Sequence, residues 1–141
     1  MKFSIKISLF LIGSFFFCSC KKETPIITQE SRVTHSWKLR FQGSDINNNG
    51  AFDQNEKNMV SDSAAFSYQF KSGGTGFRVG NNSSFIDTLT WYFVGDNGMH
   101  INLKSQGIEQ SLDYLYEVGT DEITLTDTAQ KPAFFRNFIL Q

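Results

Sequence analysis

From Trp37 to the end of the chain, apolar and polar residues alternate with a period of two, the signature of half-buried strands. In Trp37-Lys-Leu39-Arg-Phe41 the three apolar residues share one face, and Lys38 and Arg40 share the other. The pattern returns in Phe66-Ser-Tyr68-Gln-Phe70, Phe77-Arg-Val79, Leu89-Thr-Trp91-Tyr-Phe93 and Met99-His-Ile101-Asn-Leu103. Tyr114-Leu-Tyr116-Glu-Val118, Ile123-Thr-Leu125 and a last run from Ala133 to Leu140 complete it. Turn chemistry separates these segments at Ser72-Gly73-Gly74, Gly80-Asn81-Asn82, Gly95 to Gly98 and Gly119-Thr120, with a polar connection from Lys104 to Ser111. About eight short strands and no helical stripe predict an all-β domain over residues 34–141. A small antiparallel up-and-down barrel is the natural architecture, because closure leaves no sheet edge exposed.

One stretch breaks the alternation. Asp45-Ile-Asn47-Asn-Asn49-Gly50-Ala51-Phe52-Asp53-Gln-Asn-Glu56 fits the twelve-residue calcium-loop pattern. Oxygen-bearing side chains fall at positions one, three, five, nine and twelve, with glycine at six. Calcium takes six to eight oxygens, so Asp45, Asn47, Asn49, Asp53 and Glu56 are candidate metal ligands, with Ala51 contributing its carbonyl. Gly50 permits the sharp turn. Phe52 is expected to pin the loop to the core. Strand periodicity before the loop and the lack of a helical stripe after it imply a structural clamp on a β connection, not a sensor flanked by two helices. The competing reading is a plain polar turn, since Asn-Asn-Asn-Gly is ordinary turn chemistry.

The N-terminus has a different character. Lys2 and Lys6 precede an apolar run from Ile7 to Phe17 that is too short to span a membrane, so residues 1–19 read as a secretory signal. The run ends in Phe17-Cys18-Ser19-Cys20, which resembles a bacterial lipobox. That resemblance implies cleavage before Cys20, acylation of Cys20 (palmitate-type chains) and attachment to a membrane through the lipid anchor. Residues 20–33 then read as a tether. Lys21-Lys22-Glu23 places no acid directly after the cysteine, which in lipoproteins of this kind implies the outer membrane of the cell envelope, on its periplasmic or surface-facing side.

Composition narrows the partners. The formal charge is -1 at pH 7, and losing Lys2 and Lys6 with the leader makes the chain more acidic. No basic patch remains, which argues against nucleic acid. Both cysteines lie at positions 18 and 20, so no disulfide framework exists. His35 and His100 are the only histidines, and neither has partners at a spacing that marks a catalytic or zinc site. No catalytic residue is nominated, and the chain is not expected to be an enzyme. Gly73-Gly74-Thr75-Gly76 lacks the ending of a phosphate loop and reads as a hairpin turn.

The order of landmarks resembles the lipocalin-like lipoproteins of Gram-negative bacteria. These residues are Trp37-Lys38-Leu39 in the opening strand, Phe70 followed by Gly73-Gly74-Thr75-Gly76, Trp91-Tyr-Phe93 in mid-chain, and the late hairpin Tyr116-Glu-Val118 to Ile123-Thr-Leu125. The resemblance implies a barrel that can hold a cavity for a small hydrophobic ligand, and some members of that family carry a calcium-type loop after the first strand, as this chain does. The aromatic residues admit two readings, a packed core or a pocket lining. Function is accordingly expected to be either an envelope-anchored, calcium-stabilised binding module, or a solid barrel that docks an envelope protein or acts as an inhibitor.

Overall fold

The computed structural model describes residues 27–141, so the leader, Cys20 and the first part of the tether lie outside the described residues. The expected all-β architecture is present. Among the described residues the sheet has nine strands: β1 (Ser36–Ser44), β2 (Asn58–Met59), β3 (Phe66–Lys71), β4 (Thr75–Gly80), β5 (Ile86–Val94), β6 (Gly98–Ser105), β7 (Ile108–Val118), β8 (Glu122–Asp127) and β9 (Phe134–Leu140). Every pairing is antiparallel, β3 to β9 run in sequence order, and β1 pairs with both β3 and β9. That double pairing closes the barrel, while β2 adds a short extra rung beside Phe41 and Gln42.

The alternation holds where side chains meet inside. Trp37, Leu39, Tyr68, Phe70, Leu89, Trp91, Met99, Ile101, Ile123, Leu125 and Phe138 are all buried in one cluster. Aromatic rings link its members from strand to strand. Ring centroids lie 5.3 Å apart for Tyr68 and Phe138, 5.4 Å for Phe70 and Trp91, and 5.4 Å for Phe93 and Tyr116. Offset and edge-on contacts at such distances favour a packed aromatic interior.

Three local departures from the pattern matter. The connection from Lys104 to Ser111 is not a loop. β6 and β7 run through it and reverse over Gln106 and Gly107, whose φ values of 49° and 84° make the tight left-handed turn that suits a two-residue hairpin.

The second departure is in β1. Leu39 pairs with Phe138, and Phe41 pairs with the next residue down β9, Asn137, so a bulge at Arg40 takes up the extra position. Neighbours on β9 face opposite ways, so Phe41 lies on the outer face and does not share a side with Trp37 and Leu39.

The third concerns the tether. Residues 29–33 form a short helix, α1 (Gln29–Val33), instead of a featureless linker. The Thr28 side chain caps it by accepting from the Ser31 N–H. Val33 is fully buried in the core, and its carbonyl accepts the Trp37 indole N–H at 2.8 Å. Glu30 accepts from Gly73 N–H at 2.9 Å, Gln29 reaches the Asp96 carbonyl and the Tyr116 hydroxyl, and Arg32 donates to the Val118 carbonyl. α1 therefore caps the barrel end formed by the β3–β4, β5–β6 and β7–β8 turns. The opposite end carries the β1–β2 loop, and among the described residues no α-helix caps it.

Candidate functional site

The loop Asp45–Glu56 leaves the end of β1 and is wound by its own side chains. Asp45 Oδ1 accepts from the Asn49 N–H at 3.0 Å, and its Oδ2 accepts from the Gly50 N–H at 2.9 Å. Asn47 Oδ1 accepts from Asn49 N–H, and Asn49 Oδ1 accepts from Ala51 N–H, giving two successive Asx turns. Asn48 and Gly50 take positive φ, 56° and 77°, which lets the chain coil this tightly. At the far end a single 3-10 turn, Gln54–Glu56, brings Glu56 back under the start of the loop. Glu56 Oε1 accepts from Ile46 N–H at 2.8 Å, and Oε2 accepts from Asp53 N–H at 3.1 Å.

The two end carboxylates, at positions one and twelve, are the deepest parts of this loop. Asp45 is 4% exposed and Glu56 is 2% exposed. Among the described residues, neither pairs with a lysine, arginine or histidine, and neither does Asp53. Backbone N–H groups alone face the two buried charges. Asp53 Oδ2 receives the carboxamide NH2 of both Asn47 and Asn49 at 2.9 Å. The loop thus brings Asp45, Asn47, Asn49, Asp53 and Glu56 into one hydrogen-bonded unit, with Ala51 held by its N–H. The carboxyl groups of the described residues do not by themselves gather into a three-ligand metal set, so any cation here depends on the asparagine oxygens as well. Both amides turn nitrogen toward Asp53 while their oxygens accept the backbone N–H groups of the two Asx turns.

Phe52 anchors the loop, but not to the core. Its ring stacks on Phe135 with centroids 4.9 Å apart. Phe135 pairs with Gly43 on the outer face of the barrel. The shift at Arg40 is what places the end of β1 so that the loop folds over the outside of β9. Gly43 is the hinge of this arrangement: a Cβ there would lie 1.9 Å from the Glu56 carbonyl oxygen and 3.1 Å from the Phe52 ring. Only glycine lets the returning chain lie so close.

Sequence periodicity gave no sign of a second polar cluster, which sits inside the barrel toward the uncapped end. Arg78 pairs with inward-facing Tyr68, so its side chain enters the interior, and Phe77 and Val79 face outward. Arg78 donates from Nε and Nη2 to Asp87 Oδ2 at 2.9 and 2.6 Å. Burial raises the Asp87 carboxyl, but the Ser105 hydrogen bond and the Arg78 guanidinium outweigh it, so its pKa falls below the usual value. Burial also pushes both phenols, Tyr68 and Tyr114, above their ordinary value. Arg136, on β9, reaches the Tyr114 hydroxyl at 3.4 Å and lies over the Phe134 ring, 4.8 Å from its centroid. The signal that could have found this cluster is a charged residue at an inward-facing position on each of three strands, and it becomes visible only once register is known.

The histidines hold structural places. His35 packs edge-on against Trp37 at 5.8 Å. On the outer face of β5–β7, His100 stacks on Tyr92 at 4.8 Å, and its ring nitrogens face Asp113 Oδ1 at 2.6 Å and Asn102 Oδ1 at 3.0 Å. With an acceptor at each nitrogen, the doubly protonated ring is favoured, and the Asp113 hydrogen bond raises the His100 pKa. Gly73 and Gly74, with φ of 79° and 72°, form the β3–β4 turn that was expected.

Compared with protein-family models, with curated proteins and with solved structures, the chain matches none.

Proposed function

We propose that this protein is a lipid-anchored binding module of the cell envelope whose barrel is clamped by one calcium ion in the loop Asp45–Glu56. The observation that carries the reading is the pair of buried carboxylates, Asp45 and Glu56, lying on one tightly wound loop without a cationic partner among the described residues. A buried charge ordinarily has a counter-charge. A divalent ion would be held by the side chains of Asp45, Asn47, Asn49, Asp53 and Glu56 and by the Ala51 carbonyl. It would supply the missing positive charge and tie the end of β1 to the start of β2. Extracellular calcium modules bind at 10⁻⁴–10⁻³ M, an affinity sufficient where calcium is millimolar.

Anchoring rests on the lipobox resemblance at Cys20, and it would have a direction. Ile27 lies on the α1 side of the barrel, and the chain from Cys20 to Ile27 can span no more than about 25 Å. Acylation there would hold the capped end near the bilayer and turn the calcium loop and the uncapped end outward. The aromatic cluster fills the middle of the barrel, which leaves its uncapped end and its outer face as the places for recognition.

The test is thermal unfolding of the full chain. EDTA should lower the melting temperature and added calcium should restore it. At a hundredfold excess over Kd the gain is about 2.7 kcal/mol. Glu56→Gln should abolish the response. A transition that ignores EDTA and calcium would remove the metal from this account. Anchoring is tested separately: Cys20→Ser should release the protein from the membrane fraction, and unchanged fractionation would refute it.

A second reading, a protein-docking module, is favoured by Tyr92, Val94 and Leu115. These lie on the outer face of β5–β7 and are 52%, 52% and 43% exposed. Native mass spectrometry of protein from its own host would distinguish a stoichiometric protein partner from a lone barrel.

A further inference from the structure

The uncapped end of the barrel holds two guanidinium groups, and among the described residues only one of them is paired with an acid. Arg78 is matched by Asp87 through one carboxylate oxygen. Arg136 has no acid within ion-pairing distance among the described residues, and its polar contact is the neutral Tyr114 hydroxyl. Asp127 faces the same end, but its two oxygens accept from the Ala129 N–H and the Gln130 amide of its own loop. Arg136 is only half-buried, so its guanidinium can be reached from solvent. Tyr114 beneath it is 5% exposed and Tyr68 is 2% exposed, so two buried phenols stand below this mouth. Apolar side chains occur at the same end. Phe134 lies under Arg136, Phe85 lies 5.2 Å from Arg78, and Ile108, on the inner face beside Ser105, is 73% exposed at the rim.

A guanidinium packed over an aromatic ring can keep edge donors free, and those donors match the two oxygens of a carboxylate or phosphate. We propose that Arg136, with the Tyr114 hydroxyl beside it, binds the oxyanion of a small ligand whose apolar body rests against Phe134, Phe85 and Ile108. The calcium loop is not part of this site, and the proposal stands or falls independently of the metal.

The experiment is an NMR titration of the calcium-supplemented full chain, following the Arg136 Nε–Hε resonance. The probes are benzoate, phenyl phosphate and the neutral benzamide. The expected result is a saturable shift with benzoate or phenyl phosphate, and none with benzamide. The stronger of the two anions would identify carboxylate or phosphate as the head group. Arg136→Gln should weaken binding by at least about tenfold. Tyr114→Phe, which keeps the ring and removes the hydroxyl, should weaken it by roughly threefold. Three results would each overturn the assignment: no saturable shift below about 10 mM, equal binding of benzamide, or anion binding unchanged in both variants. Should Arg136→Gln fail to fold, the wild-type resonance and Tyr114→Phe decide the matter alone.

Discussion

Gly43→Ala is a one-methyl change with a calculable effect. The new Cβ would sit 1.9 Å from the Glu56 carbonyl oxygen. Real Cβ contacts almost never fall under 3.0 Å, so the two chains must part by at least 1.1 Å. The obstructing atom is backbone, and no rotamer change relieves the clash. Either β1 lifts from Phe135, its neighbour on β9, or the loop lifts from β1 and takes Phe52 off Phe135. Overpacking of this kind costs about 1–3 kcal/mol, and a weakened aromatic pair adds roughly 0.5–1.5. Against this, alanine restricts the unfolded chain and returns about 0.4–1 kcal/mol, because Gly43 does not need a left-handed φ. The net expectation is a loss of about 1–3 kcal/mol, or roughly 5–15 °C in Tm for a domain of this size. Urea unfolding with and without calcium measures it. Gly50→Ala is the control: its Cβ would meet nothing within 4 Å, but its φ of 77° disfavours alanine, so it should cost about 1 kcal/mol by strain alone. A Gly43→Ala protein as stable as wild type would mean that the loop does not rest on β1, and the docking argument would fail with it.

Two titrating groups give further predictions. Asp87→Asn strips Arg78 of its counter-charge. The Arg78 side chain is 25% exposed, so the cost should be about 1.5–3 kcal/mol at pH 7, less than for a fully buried pair. Because the Asp87 pKa is depressed in the fold, its contribution is present above the ordinary carboxyl value near 3.9 and is lost as pH falls through the folded value. Urea midpoints of wild type and variant should therefore begin to converge once pH falls below about 4, and a gap that stays constant over the whole acid range in which both fold would contradict the assignment. His100 behaves in the opposite sense. Its pKa is raised by Asp113, so its stabilisation is complete below about 6.5 and disappears as pH rises through the folded value. NMR titration should place the His100 midpoint above the ordinary value, and Asp113→Asn should lower it; a midpoint insensitive to that substitution would discount the pair. Asp113 is 83% exposed, so the stability change itself should be small.

Local composition alone decided a good deal here. A period of two with glycine-rich breaks can only be satisfied by short strands, and so many strands in one small chain close on themselves. The twelve-residue spacing of Asp45 to Glu56 likewise carries its own winding, because Asx turns and a left-handed glycine act within a few residues. What the alternation could not reveal was which face is inside. Phe77-Arg78-Val79 has the right period, yet pairing with Tyr68 turns the arginine inward and the two apolar residues out. The bulge at Arg40 likewise sends Phe41 outward and the loop Asp45–Glu56 onto Phe135 instead of the core. Both are matters of register, set by partners far away along the chain. The docking of α1 is another such case, since Gln29 to Val33 is too short to form a stable helix by itself and is held by Trp37, Gly73 and the turns around it. Side-chain identity determines what a segment can become, but only contacts between distant strands choose the face it turns toward the interior.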